Sequence, residues 1–342
     1  MPWLRSSARG PSCRVCRMSE PTEPHQPWDG HGLPPSAEAR LRRHGSGTTT
    51  SFLSVPEAAA LATVGFDVVG EVLGACVVTI GWAGFGGCGY TSYRAPSGTN
   101  SSWTVDGRYG VDRPATILSS SKSRFAGFGP QVKAIRSGYA TALRRMTDEA
   151  AAMGADGIVG VTLRQQASGQ DPQRDTVEFV SLGTAVRAVA SGRRRRLERP
   201  FTALLSGTEA AAALLGGLVP VAVNVGVSVG VRHADWKSQG QAGSWRNTEV
   251  YAHTDLATAV RSDARQQFAD ELRASGASTA VVSSMSLVAW PVGQGSGHLD
   301  YVARSVILGT GLLSFQRRTR PARARPLSIL PRRPPTPSEG RS

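Results

Sequence analysis

Two carboxylate pairs, Asp148-Glu149 and Asp270-Glu271, are the residues whose types and spacing first suggest chemistry. Paired carboxyl groups can share acid and base work or hold a hard cation. Both pairs fall in stretches of helical spacing, where adjacent side chains diverge by about 100° and cannot easily converge on one atom. A solvated helix face is the favoured reading. Cys13-Arg-Val-Cys16 has the spacing of half a zinc site, but no second pair accompanies it. Gly84-Phe-Gly-Gly-Cys-Gly89 lacks the Gly-Lys-Ser/Thr ending and the following helix of a phosphate cradle, so it reads as a turn. Soft and borderline metals want clustered Cys or His. Here Cys76 falls mid-strand, Cys88 lies in the glycine loop, His233-Ala-Asp235 offers two donors, and His253 and His298 stand alone. Each His reads as a surface or hydrogen-bonded residue. No Ser/His/Asp or Cys/His set can be assembled from spacing, so no catalytic residue, metal ligand or cofactor ligand is assigned and no enzyme is expected.

The elements around these residues are easier to read. Apolar residues at Ile135, Tyr139, Leu143, Met146, Ala150 and Met153 step by three and four, which defines one helix face. Gly154 is the stop, and Gly157–Val161 has the small, β-branched composition of a buried strand. The same order returns with Leu256, Val260, Ala264, Phe268 and Leu272, the stop Gly276, and the strand opening at Ala280-Val281-Val282. Ser54/Glu57 and Ser206/Glu209 are capping boxes that open two short Ala-rich helices. Phe66–Ile80 reads as a long strand, 84–129 as a long loop or inserted hairpin, Pro130 as the start of the long helix, and Thr176–Val186 as a third strand. Ala210–Val231 runs 22 residues without a charge, enough to span a bilayer. Val at every second position from Val219 to Val231 instead marks a strand, and no membrane association is expected.

The chain therefore repeats itself. A shift of 152 overlays Glu57 on Glu209, Gly65 on Gly217 and Gly74 on Gly226; the shift is 122 at Gly154/Gly276 and 126 at Leu182/Leu308. The apolar parity of the two first strands is out of step, which predicts a one-residue bulge or slip in one copy. The expected fold class is α+β: two tandem two-layer units, each an antiparallel sheet packed by one long helix and a short N-terminal helix. The expected division is a disordered segment at 1–47, copy one at 48–190, a basic linker at 191–199, a diverged copy two at 200–314 and a disordered Arg/Pro-rich tail at 315–342. Met18 reads as an alternative start. The formal charge of +14 lies almost wholly in the first 18 residues, the linker and the tail, so it does not mark a basic folded face. With 36 Arg against three Lys, the Arg runs read first as coding bias and solvated chain. Four Cys in 342 residues and no apolar leader imply a reducing cytoplasm.

Phe66-Asp-Val-Val-Gly-Glu-Val-Leu-Gly74, the long helix, Met153-Gly-Ala-Asp-Gly-Ile-Val-Gly-Val161 and Glu178-Phe-Val-Ser-Leu-Gly-Thr-Ala-Val186 follow in an order that resembles the YbjQ-like family. The resemblance covers roughly 48–190, and 200–314 looks like a diverged copy. It implies small α/β units that assemble into rings of five, with no established enzymatic activity and a heavy-metal-binding label. A metal ion enters only through that label. Two expectations for self-association stay open: five chains supplying ten units, or two copies packed as a pseudo-symmetric monomer. The function expected is a non-enzymatic module binding a metal ion or small ligand at interfaces of the assembly. The alternative is a scaffold whose Arg-rich tails engage nucleic acid or acidic partners.

Overall fold

The computed structural model describes residues 28–30, 32–44, 47, 50–79, 116–118, 129–167, 176–189, 199–233, 236–294 and 298–315. In chain order these form α1 (Pro35–His44), α2 (Val55–Thr63), β1 (Phe66–Thr79), β2 (Thr116–Leu118), α3 (Gly129–Ala152), β3 (Gly157–Ala167) and β4 (Thr176–Ala188). There follow β5 (Phe201–Thr202), α4 (Gly207–Leu215), β6 (Leu218–His233), α5 (Trp236–Ala242), α6 (Tyr251–Ala274), β7 (Thr279–Gln294) and β8 (His298–Ser314). The fold is mixed α+β with two sheets, ordered β1-β4-β3-β5 and β2-β6-β8-β7. All long strands pair antiparallel.

Local chemistry sets the element ends. Both capping boxes form: the Ser54 N–H donates to the Glu57 carboxylate at 2.8 Å, and the Ser206 N–H to that of Glu209 at 2.9 Å. Gly65, Gly154, Gly217 and Gly276 close the four helices that precede strands, with φ between +74° and +82°, a region a side chain disfavours. The uncharged run is divided between α4 and β6, and no described helix is long and apolar enough to cross a membrane.

The halves share one register. Gly70 pairs with Ala185 and Ala222 with Gly311; Thr162 pairs with Leu182 and Ser284 with Leu308. The expected bulge in one copy is corrected, because bulges occur at the same place in both, at Val69 and at Val221. The parity mismatch has a different cause. In β1 the apolar face lies on its own helix, with Val72 and Cys76 against α3. In β6 the face on α6 is small and polar (Asn224, Gly226, Ser228), and Val227, Val229 and Val231 are turned instead to α3.

Helix α3 is consequently a core element for both sheets. Ile135, Tyr139 and Ala142 share one buried cluster with Phe179 of β4 and with Val227, Val229, Val302 and Val306 of the second sheet. Helix α6 lies on the opposite face of the second sheet, where Leu256, Val260, Ala264 and Phe268 meet Ala303 and Ile307. Short strands are exchanged as well: β2 pairs with β6, and β5 runs parallel to β3.

Two readings need correction. Residues 35–44, expected to be disordered, form α1, whose Ala37 is buried and whose Arg40 makes a long-range ion pair. With Ala37 and Leu41 as its only apolar anchors, this helix is fixed by tertiary contact and carries no readable periodicity. The interval 84–129, expected to be a loop or hairpin, contains β2, which joins the other half's sheet rather than its own.

Candidate functional site

The solvated-face reading of the carboxylate pairs fails at Glu149. Its side chain is 0 % exposed and takes both nitrogens of an Arg40 fork, Nε at 2.7 Å and Nη2 at 2.8 Å. The same carboxylate accepts the Leu73 N–H at 3.1 Å, at the free edge of β1. A buried ion requires this degree of pairing, because its desolvation is otherwise uncompensated. One turn earlier, Arg145 donates to the Ala75 carbonyl on the same edge, and Trp28 stacks under its guanidinium at 4.3 Å. Asp148 points away and pairs with Arg144 on the surface at 3.1 Å. The signal was present in the sequence: Glu149 is three residues after Met146 and four before Met153, on the apolar stripe itself.

The equivalent position in the second half is Glu271 of α6. It is half-exposed and meets Arg136, a residue of α3, whose Nη1 also donates to Gln267 Oε1 at 3.3 Å. These residues, with Lys133, Val223 and Val225, line a cleft of about 540 Å³ where α3 and α6 meet at the edge of β6. Both signs of charge face an apolar floor, which can hold a small polar ligand with an apolar body. Behind the cleft, the buried Tyr139 hydroxyl reaches Gln165 Oε1 at 3.4 Å. Burial pushes the phenol up, partly offset by the Arg304 charge, and burial lowers Arg304 in turn. Asp263, also missed by sequence reasoning, is buried and accepts from Ser228 Oγ.

The metal-ligand candidates do not converge. Cys76 is a buried thiol that donates to the Gly138 carbonyl at 3.3 Å, and burial pushes its pKa up, away from the thiolate a metal needs. His253 is partly buried, its Nε2 has no hydrogen-bond partner among the described residues, and its ring packs edge-on against Tyr301 with centroids 3.9 Å apart. Burial, then the Arg232 charge, lowers its pKa. Among the described residues no group of three or more His, Cys, Asp or Glu is placed to hold a metal ion. The described donors therefore do not fit a soft-metal site. Cys13, Cys16, Cys88, the 84–89 glycine run, Asp235, the four-Arg run and the tail beyond 315 lie outside the described residues, as do the side chains of His233 and His298.

Comparison with known proteins adds two findings. Residues 115–189 match the YbjQ family described as "putative heavy-metal-binding". The match runs from β2 through β4; β1 and the whole second half lie outside it. An encapsulin nanocompartment protein from Mycobacterium tuberculosis is 31% identical over 196 residues, 57% of this chain and 60% of that relative, so the chain spans less than two thirds of its length. No solved structure matches the chain.

Proposed function

We propose that this chain is a non-catalytic binding module that joins a larger protein assembly, built from two tandem copies of one α+β unit, 48–190 and 200–314, of which the second is diverged. The observation that carries the reading is the joint between the halves. Helix α3 is a core element for two sheets, and its Arg136 and Lys133 face Glu271 and Gln267 across the cleft at that joint.

The family match supports binding rather than catalysis, and the relative's description supports a place in an assembly. The ligand that fits the cleft is small and polar with an apolar body; no metal ion belongs to the proposal. A closed ring of ten units from five chains is the symmetric form that the family resemblance suggests. Native mass spectrometry of the untagged full-length chain from metal-supplemented cells tests the reading. Multi-chain masses, with or without small-ligand increments, are expected. A bare single-chain mass at every concentration would contradict it.

A further inference from the structure

Resting on that reading, we infer that the outer edge of β7 binds the segment Thr50–Leu53 of a second copy of this chain, joining copies head to tail. The template is inside the molecule. The edge of β3 is closed by the segment that leads into the second unit: Phe201 and Thr202 pair parallel with Gly157 and Ile158, the Ala203 N–H donates to the Ile158 carbonyl at 2.9 Å, and the Val161 N–H to the Ala203 carbonyl at 2.9 Å. On its other side this segment is held by its own sheet, with the Leu204 N–H donating to Thr310 Oγ1 at 2.9 Å.

Each half of that joint has a counterpart with no strand partner among the described residues, although Leu53 of the closing counterpart already packs beside Val159 and Ala203. Shifted by 152, the closing segment becomes Thr50–Leu53, and it is anchored identically: the Phe52 N–H donates to Thr184 Oγ1 at 3.1 Å. Shifted by 122, the receiving edge becomes Thr279–Ser283, in equivalent register, with the Ser278 N–H on the Leu312 carbonyl as the Asp156 N–H is on that of Val186. In the closed joint Ala203 and Val159 are both 0 % exposed. Their counterparts are open: Val281, matching Val159, is 43 % exposed and Ser51, matching Ala203, is exposed, and the adjoining Phe52 and Val282 are 53 % and 54 % exposed. β7 is also an edge strand of 16 residues without a charge, the kind of edge that soluble proteins otherwise blunt.

The helix part of the internal joint is not repeated. Val132, Ile135 and Tyr139 of α3 correspond to Thr254, Ala257 and Arg261 of α6, which cannot form the same apolar contact. The contact between copies is therefore a strand-edge contact, weaker than the internal one and dependent on concentration. Because the two surfaces are different, the interface is heterologous and extends to a ring or filament rather than stopping at a two-fold dimer.

Sedimentation velocity of the full-length chain over a hundredfold concentration range reads this directly. The wild type should associate, Val282→Lys should remain a single chain throughout, and a Trp245→Lys control at a fully exposed position should behave as wild type. In parallel, a chain carrying Thr50→Cys and Ala280→Cys should form an inter-chain disulfide ladder that neither single variant gives. If the wild type associates but Val282→Lys leaves association intact, or the double variant gives no ladder, the edge assignment is overturned while the assembly reading stands. If the wild type stays a single chain at every concentration, both are overturned.

Discussion

Glu149 and Glu271 hold the same position in two helices of 24 residues, yet one is fully buried and the other half-exposed. The partner makes the difference. Glu149 is closed over by α1, which precedes residue 48 in the same half of the chain, whereas Glu271 is reached by Arg136 of α3, from the other half, across an open cleft. The same inversion recurs at the sheet edges, where, among the described residues, β3 is closed and β7 is open. The two halves of the chain thus differ at their outer surfaces, according to whether the chain itself supplies a neighbour.

If the scaffold is common, an added methyl at its tightest point should be equally harmful in both halves. A Cβ at Gly74 would lie 2.0 Å from the Ala142 carbonyl oxygen, and one at Gly226 would lie 2.3 Å from that of Ala264. Gly74→Ala and Gly226→Ala should each cost about 3 kcal/mol or more, read as a fall in the denaturant midpoint. Breaking the ion pairs should separate the halves. Arg40→Ala strands a buried carboxylate and should cost about 2 to 3 kcal/mol, a lower figure than for a fully buried pair because Arg40 is 15 % exposed. Arg136→Ala removes a pair whose partners are 38 % and 40 % exposed and should cost about 0.5 kcal/mol.

Between these lie the caps. Ser54→Ala and Ser206→Ala should each cost about 1 kcal/mol in thermal unfolding. The smallest effect is in pH. The Ser54 hydroxyl, then its N–H, holds the Glu57 carboxyl below the ordinary range. A carboxylate lowered on folding stabilises above its unfolded pKa, and that contribution is lost as pH falls through the folded value. Melting curves of wild type and Glu57→Gln should therefore differ near neutrality and converge in acid.

Much of the scaffold was legible because short-range chemistry writes it. The capping boxes, the four glycine stops, the apolar stripe of α3 and the alternating Val of β6 each follow from local preference. What escaped were features decided by distant contacts. α1 carries too few apolar residues to show a period and is held by Arg40 on Glu149, 109 positions away. β2 has three residues and pairs with the other half. The alternation of β6 was readable as a strand but not as a strand buried on both faces, because the helix on its Val side comes from the first unit. The cleft residues were unreadable for the same reason: Arg136 and Glu271 meet only once two units are packed.

The most direct test of the comparison is hydrogen–deuterium exchange of the full-length chain at low and high concentration. Amides of Gly157–Val161 should be protected at both, since their cap is internal. Those of Thr279–Ser283 should exchange quickly when dilute and slow as copies associate, together with Thr50–Leu53. Unchanged exchange at Thr279–Ser283 across concentrations, or exchange at Gly157–Val161 as fast as there, would contradict the account.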